Sequence, residues 1–215
     1  MHISEGVLSA PVLAAGAALT TVGVAVGVRR MVSEQVPKVA VLASAFFVAS
    51  LIHVPVGPSS VHLVLNGVTG LLLGWAAFPA ILVGASLHAL LFQFGGLTSL
   101  GVNTFTMACP ALICHYAFGP LLRRGTRRAM QAAGFAAGAA AIALSGLLIC
   151  LCLVLTGESF AEVAGLTLAA HLPVMVVEGL LTASCVTFLG RVKPELLGLG
   201  RRGAEGSGGA GPGGD

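Results

Sequence analysis

The first two residues of the chain carry atoms that could bind a metal ion. Met1-His2 presents an α-amine, an amide nitrogen and an imidazole in succession. The amine and amide nitrogens close a five-membered chelate ring, and the amide nitrogen and Nδ1 of His2 close a six-membered one. Three nitrogens in one plane suit square-planar Ni(II) or Cu(II) and, less selectively, Co(II). The alternative is that His2 is an ordinary polar residue at a frayed terminus, because short motifs often match by chance.

The chelate requires that the amine of Met1 is retained. A signal peptide opens with basic residues and ends at a small-residue cleavage site. Here the first basic residue is Arg29, and no such site follows a basic opening. We therefore expect the N-terminus at Met1 to survive.

A second imidazole is offered by His62, which follows the turn-forming run Gly-Pro-Ser-Ser at 57–60. We expect His62 to begin the third apolar segment, just inside the membrane interface. An ionisable side chain at that depth is a functional candidate. The alternative is a capping or interfacial histidine beside Ser60.

Polar residues near the end of the chain form another candidate pair. His171 and Glu178 are seven residues apart, so they share one face of a helix. They could ligate a metal, but polar contacts between helices are favoured, with Pro173 kinking the helix.

A glycine-rich, uncharged segment lies between two apolar runs at 95–104 and reads GGLTSLGVNT. Glycines allow backbone to approach other groups closely. The amide of Asn103 could orient another side chain. The alternative is a plain connection between helices, although the segment is long and glycine-rich for that purpose.

The composition is that of a polytopic membrane protein. Of the 215 residues, 56% are hydrophobic and only 9% are charged, and the mean hydropathy is +0.98. A soluble domain carries about 25% charged residues. The apolar runs are continuous rather than alternating, which predicts helices and not the strands of a membrane barrel. No phosphate-binding loop or nucleic-acid-binding pattern is present in the sequence.

The expected fold is all-α, with seven transmembrane helices. The predicted spans are 8–28, 37–54, 60–75, 77–94, 103–122, 129–155 and 165–190. The eleven basic residues fall in three groups that seven spans place on one side: Arg29, Arg30 and Lys38; Arg123, Arg124, Arg127 and Arg128; and Arg191, Lys193, Arg201 and Arg202. Basic loops stay cytoplasmic, so the N-terminus is predicted outside and the C-terminus inside.

Two regions are predicted along the chain. Residues 1–195 form the transmembrane domain, and residues 196–215 form a Gly-rich cytoplasmic tail with too little apolar content to fold. We expect docking surfaces at the basic cytoplasmic loops and at the small-residue runs 132–134 and 136–138, since small residues allow another helix to approach closely.

Together, four motifs resemble the CbiM/NikM family, the substrate-binding membrane components of energy-coupling factor transporters for cobalt and nickel. The motifs are Met-His-Ile-x-x-Gly at 1–6, Val-His-Leu at 61–63, Gly-Gly-Leu-Thr-x-Leu-Gly-x-Asn-Thr at 95–104, and His171-x-Pro173 followed by Glu-Gly-Leu-Leu-Thr at 178–182. The resemblance covers about residues 1–192. The family usually has Pro-Asp where this chain has Ser4-Glu5.

The resemblance implies a site and a set of partners. The metal ligands would be Met1, through its amine, His2, through its amide and imidazole nitrogens, and His62. Asn103, Thr98 and Ser60 would support them, and His171 and Glu178 would be structural. The metal is the transported substrate, and no cofactor of its own is implied. The partners would be a coupling membrane protein, two cytoplasmic ATPases and a small accessory membrane subunit.

The function expected from these features is capture of Co(II) or Ni(II) for import across the cell membrane, without enzymatic activity. One alternative is a stand-alone secondary transporter or channel that uses Glu178 as an intramembrane carboxylate. Another is an intramembrane metalloenzyme, but the sequence contains no H-E-x-x-H pattern.

Overall fold

A computed structural model describes residues 2–56, 59–157 and 161–199. Helices dominate, as expected, and three short strands accompany them. The helices are α1 (Ala10–Arg30), α2 (Val36–Ala49), α3 (Asn66–Leu73), α4 (Ala77–Phe92), α5 (Leu100–Leu122), α6 (Arg127–Thr156) and α7 (Ala161–Val192). The strands are β1 (His2–Ile3), β2 (His53–Val56) and β3 (Ser59–His62), and 3-10 turns lie at Ser33–Gln35, Gly74–Ala76 and Pro194–Leu197.

Within the described residues, five helical segments are long and apolar enough to cross a membrane. They are Ala10–Arg30, Asn66–Phe92, Leu100–Leu122, Arg127–Thr156 and Gly165–Val192. The segment 66–92 contains both α3 and α4. The short α2, with 14 residues, is about 21 Å long and does not reach the length of a full span by itself.

The helices α3 and α4 form a hairpin rather than one straight span. Gly74 between them has a φ of +55°, which favours glycine and breaks the helix. In the turn, Trp75 donates its indole N–H to the hydroxyl of Tyr116, near the C-terminal end of α5. At the other end of α4, the ring of His88 contacts that of His2. α4 therefore returns the chain to the end of the bundle where the N-terminal strand lies.

The opposite end of the bundle gathers basic residues from separate loops. The ammonium of Lys38 donates to the carbonyl oxygens of Leu72 and Leu196, so the start of α2, the end of α3 and the 3-10 turn after α7 meet. The guanidinium of Arg30 lies over the ring of Trp75, 5.3 Å from its centroid. The grouping of charges along the sequence thus corresponds to one physical end of the described bundle.

The predicted boundaries of spans two and three were wrong. α2 ends at Ala49 and α3 begins only at Asn66, because residues 53–56 and 59–62 pair as antiparallel strands. His62 consequently lies on a strand and does not begin a helix. β-branched residues at alternating positions favour this extended conformation, and Leu65, with a φ of +56°, separates the strand from α3.

The three strands form an antiparallel sheet in the order β1-β3-β2. His2 is opposite Ser60 and Ile3 is opposite Ser59 in the first pair. His53 is opposite His62 in the second pair. The expectation of an all-α fold is therefore corrected: the N-terminus adds a strand to a hairpin that the prediction had divided between the ends of spans two and three and the loop joining them.

The small residues of α6 pack inside this chain. A Cβ added to Gly134 would lie 2.6 Å from the Cα of Ala183, and one added to Gly138 would lie 2.4 Å from the carbonyl oxygen of Glu178. Ala133 and Ala137 are fully buried. Gly134 and Gly138 therefore face α7 and are not available to another helix, whereas the exposed Ala132 leaves the prediction of a docking surface open at that position.

Glu178 joins α7 to the segment between β3 and α3. Its Oε1 accepts hydrogen bonds from the backbone N–H groups of Val64 and Leu65, the second at 2.8 Å. These donors precede the first turn of α3 and would otherwise lack an acceptor in an apolar interior. The carboxylate therefore holds the backbone that follows His62.

We expect Glu178→Leu to destabilise the fold by about 1–3 kcal/mol, because it leaves buried N–H groups unpaired. Glu178→Gln keeps one acceptor oxygen and should lose less. Thermal unfolding in detergent measures both, with Glu195→Gln at an exposed carboxylate as the control. Equal melting temperatures for Glu178→Leu and the control would contradict this role.

Candidate functional site

Three imidazoles from separate elements converge beside the sheet. The ring of His2 stacks on that of His62 with centroids 4.7 Å apart. The edge of His88, on α4, meets His2 at 5.3 Å and His62 at 6.5 Å. All three side chains are buried. The strand pairing brings His2 to His62, and the α3–α4 hairpin brings His88 to both.

His62 is oriented as a metal-binding imidazole would be. Its Nδ1 lies 2.9 Å from the carbonyl oxygen of Leu63, which can only accept, so Nδ1 carries the proton. The lone pair is then on Nε2, which is buried and has no hydrogen-bond partner among the described residues. Burial lowers the pKa of His62 to about 4, so the ring is neutral near pH 7. A neutral ring that donates its other N–H to a carbonyl is typical of metal ligands.

His88 is a site residue that the sequence analysis missed. Its Nε2 lies 2.8 Å from the carbonyl oxygen of Phe47, so Nε2 carries the proton. This bond ties the ring to α2 and fixes its edge against His2. The sequence did contain a signal for His88, because an ionisable residue inside an apolar helix is itself a functional candidate.

The N-terminal strand is held on its second edge by a side chain. Asn103 accepts a hydrogen bond from the N–H of Ile3 at 2.8 Å and donates to the carbonyl oxygen of Ile3 at 3.1 Å. The hydroxyl of Ser99 also donates to that oxygen, at 3.0 Å. The amide of Asn103 thus replaces a neighbouring strand, and it fixes the residue next to His2.

The glycine-rich loop lets the N-terminal segment approach closely. Gly95 has a φ of +84°, and a Cβ there would lie 2.7 Å from Nδ2 of Asn103. At Gly96, with a φ of +146°, a Cβ would overlap the carboxylate of Glu5. Thr98 donates its N–H and its hydroxyl to that carboxylate. Glu5 therefore anchors the N-terminal turn to this loop, and Thr98 acts on Glu5 rather than on the imidazoles.

The other predicted site residues lie apart or outside the described residues. His171 is buried on α7, where its Nδ1 bonds to the carbonyl oxygen of Thr167 at 2.6 Å and its ring lies near Gly146. Met1 and the side chain of Ser60 lie outside the described residues. Glu178 contacts the backbone that follows His62, as described above.

Side chains alone do not complete a metal site in the described part of the chain. No group of three or more His, Cys, Asp or Glu residues there is arranged to hold a metal ion.

Comparison with known proteins places these features in context. Residues 2–196 match the family CbiM, described as "Cobalt uptake substrate-specific transmembrane region". A "Putative metal transport protein" from Haemophilus influenzae is 45% identical, and the match covers 92% of this chain and 97% of that protein. A "Fused nickel transport protein NikMN" from Rhodobacter capsulatus is 32% identical, and the match covers 92% of this chain and 64% of the longer relative.

A solved structure has the same fold. The crystal structure of a transition metal transporter superposes with a TM-score of 0.70, covering 89% of this chain and 93% of that one. The two sequences are 24% identical.

We expect Asn103→Leu to release the N-terminal strand, because the N–H of Ile3 loses its acceptor and the carbonyl oxygen of Ile3 keeps only the hydroxyl of Ser99 as a donor. Hydrogen–deuterium exchange of the peptide that contains Ile3 should become at least about tenfold faster, from the loss of one net hydrogen bond or more. Gln131→Leu, at an exposed amide on α6, is the control. Unchanged exchange in Asn103→Leu would show that the pairing with β3 is sufficient.

Proposed function

This chain belongs to the CbiM family of cobalt uptake transmembrane proteins, and we propose that it captures Co(II) or Ni(II) as the substrate-binding subunit of an energy-coupling factor transporter. The observation that carries this proposal is the buried contact between His2 and His62, with the lone pair of His62 on an Nε2 that lacks a partner among the described residues. A transporter subunit of this kind is not an enzyme.

The proposed ligands are four nitrogens. The amine of Met1, the amide nitrogen of His2 and its imidazole supply a chelate, and Nε2 of His62 supplies the fourth. Amine and imidazole nitrogens bind both metals, so the ligand types do not favour one over the other. Strand pairing supports the set, since it holds His2 beside His62 before any metal arrives.

The proposed topology has seven passes, with the N-terminus outside the cell membrane and the basic end in the cytoplasm. The placement of the basic residues supports this orientation. The histidine cluster and the basic residues lie at opposite ends of the bundle, and basic loops remain cytoplasmic. Metal would then arrive from outside at the histidine end.

The proposed partners are a coupling membrane protein, two cytoplasmic ATPases and a small accessory membrane subunit. The fused architecture of the nickel transport relative supports association with a further membrane component. Metal captured outside would be released inside when these subunits move the bundle.

The alternative of a stand-alone transporter that relays protons through Glu178 is less well supported. Oε1 of that carboxylate already accepts two backbone N–H groups. A residue with this structural task is poorly placed to exchange protons during each cycle.

We expect His62→Ala to abolish tight metal binding, because it removes the imidazole that completes the four-nitrogen set. Metal per protein, measured by mass spectrometry after purification with Ni(II) or Co(II), should fall from stoichiometric to background. The control is His115→Ala, whose ring bonds to Gly70 at the other end of the bundle. Stoichiometric metal in His62→Ala would overturn the assignment.

The amine of Met1 can be tested separately. One Gly added before Met1 moves the amine out of the five-membered ring, so bound metal should fall sharply. A Gly added after Asp215 should have no effect. Equal binding by both proteins, with the same absorption spectrum, would exclude the amine as a ligand.

The topology predicts opposite accessibility for two cysteines in a cysteine-free background. Leu97→Cys lies at the histidine end and Arg124→Cys at the basic end, and both side chains are exposed. An impermeant maleimide added to intact cells should label only Leu97→Cys. Labelling of Arg124→Cys alone, or of both, would contradict the proposed orientation.

A further inference from the structure

A groove between α6 and α7 lies at the basic end of the bundle, far from the histidine cluster. It has a volume of about 520 Å³. We call it the α6–α7 groove, and its lining includes Arg127, Gln131, Phe135, Leu180, Thr187 and Arg191. Nothing in the metal site uses these residues.

The chemistry of the groove changes along the helix axes. Arg127 is the first residue of α6 and Arg191 lies in the last turn of α7, so both cations are at the same end. Polar side chains of Gln131 and Thr187 follow about one turn further in. Phe135 is eight residues from Arg127, or about 12 Å deeper along α6.

The cationic end of the groove lacks a compensating charge from its own lining, which contains two arginines and no carboxylate. Arg127 also lies at the N-terminus of α6, where the helix dipole favours an anion.

The inner end of the groove is apolar and open to the surroundings. The side chain of Leu180 is 57% exposed and that of Phe135 is 40% exposed. In a bilayer, side chains at this depth contact acyl chains, whereas the ends of the helices lie among headgroups. An occupant must therefore combine an anionic head with an apolar body.

We propose that the α6–α7 groove binds one anionic phospholipid. Its phosphate lies between Arg127 and Arg191, as charge-assisted pairs of arginine and phosphate require. An acyl chain lies against Phe135 and Leu180. Basic pockets between transmembrane helices on the cytoplasmic side commonly recognise such headgroups.

This proposal is independent of the metal site, because the groove and the histidine cluster lie at opposite ends of the bundle. A soluble anion such as phosphate shares only the head of the ligand. Such an anion would gain no binding energy from Phe135 or Leu180. A competition experiment therefore distinguishes a lipid headgroup from a soluble anion.

Native mass spectrometry of the full chain in detergent, titrated with phosphatidylglycerol or phosphatidylcholine, tests the proposal. We expect one phosphatidylglycerol per protein, held more tightly than phosphatidylcholine. Arg127→Gln combined with Arg191→Gln should weaken phosphatidylglycerol binding at least about tenfold, since each charge-assisted bond contributes about 1.4 kcal/mol or more. Millimolar inorganic phosphate should not displace the lipid.

The matched control removes the same charge elsewhere. Arg29→Gln combined with Arg128→Gln alters two exposed arginines outside the groove lining and should keep the lipid. Equal retention by the two double variants would overturn the site. So would equal binding of the two lipids, or displacement by phosphate, which would assign the groove to a soluble anion. Equal melting temperatures of all variants in detergent verify that each remains folded.

Discussion

The insertion of the N-terminal strand between β3 and the side chain of Asn103 is the constraint on which the candidate site depends. On one edge of this strand, His2 is paired with Ser60 and Ile3 with Ser59 of β3. The amide of Asn103 satisfies both backbone groups of Ile3 on the other edge. Ile3 itself is fully buried, which holds the strand by apolar contact as well as by hydrogen bonds. Because Ile3 is held by these contacts, the adjacent His2 is also held in the interior of the bundle.

Extended backbone inside an apolar bundle must satisfy its polar groups without water. This structure does so with side chains from neighbouring helices: Glu178 accepts from Val64 and Leu65, and Ser50 donates to the carbonyl of Leu63. Irregular backbone at membrane depth is tolerated only where protein covers it or a cavity is lined. The same contacts therefore stabilise the loop and set the direction of His62. Fold stability and site geometry are not separable here.

The two ends of the bundle carry different chemistry, and this division organises the proposed functions. Buried imidazoles at one end suit a cation that is stripped of its water. Arginines at the other end suit phosphate headgroups, as in the α6–α7 groove. Small residues along α6 let α7 pack closely between these ends, so the long helices hold the two regions at a fixed separation.

The sequence by itself determined the membrane class, most of the helices, the clustering of basic residues and the candidate ligands His2 and His62. These follow from local patterns: long apolar runs, the order of charges, and motifs of a few adjacent residues. His62 was found by its type and position, although its strand was assigned to a helix. A strand of only two to four residues is too short to show a clear alternation of polar and apolar side chains. In an apolar chain its sequence therefore looks like part of a helix.

Only the tertiary structure decided which residues meet. The pairing of β1 with β3 joins residues almost sixty positions apart, and Asn103 reaches Ile3 across 100 positions. His88 joined the cluster because Gly74 turns α4 back towards the N-terminus. Two glycines of α6 were found to face α7 rather than a partner, since helix faces are assigned by packing and not by composition. Contacts of this kind depend on the path of the whole chain, which no local pattern records.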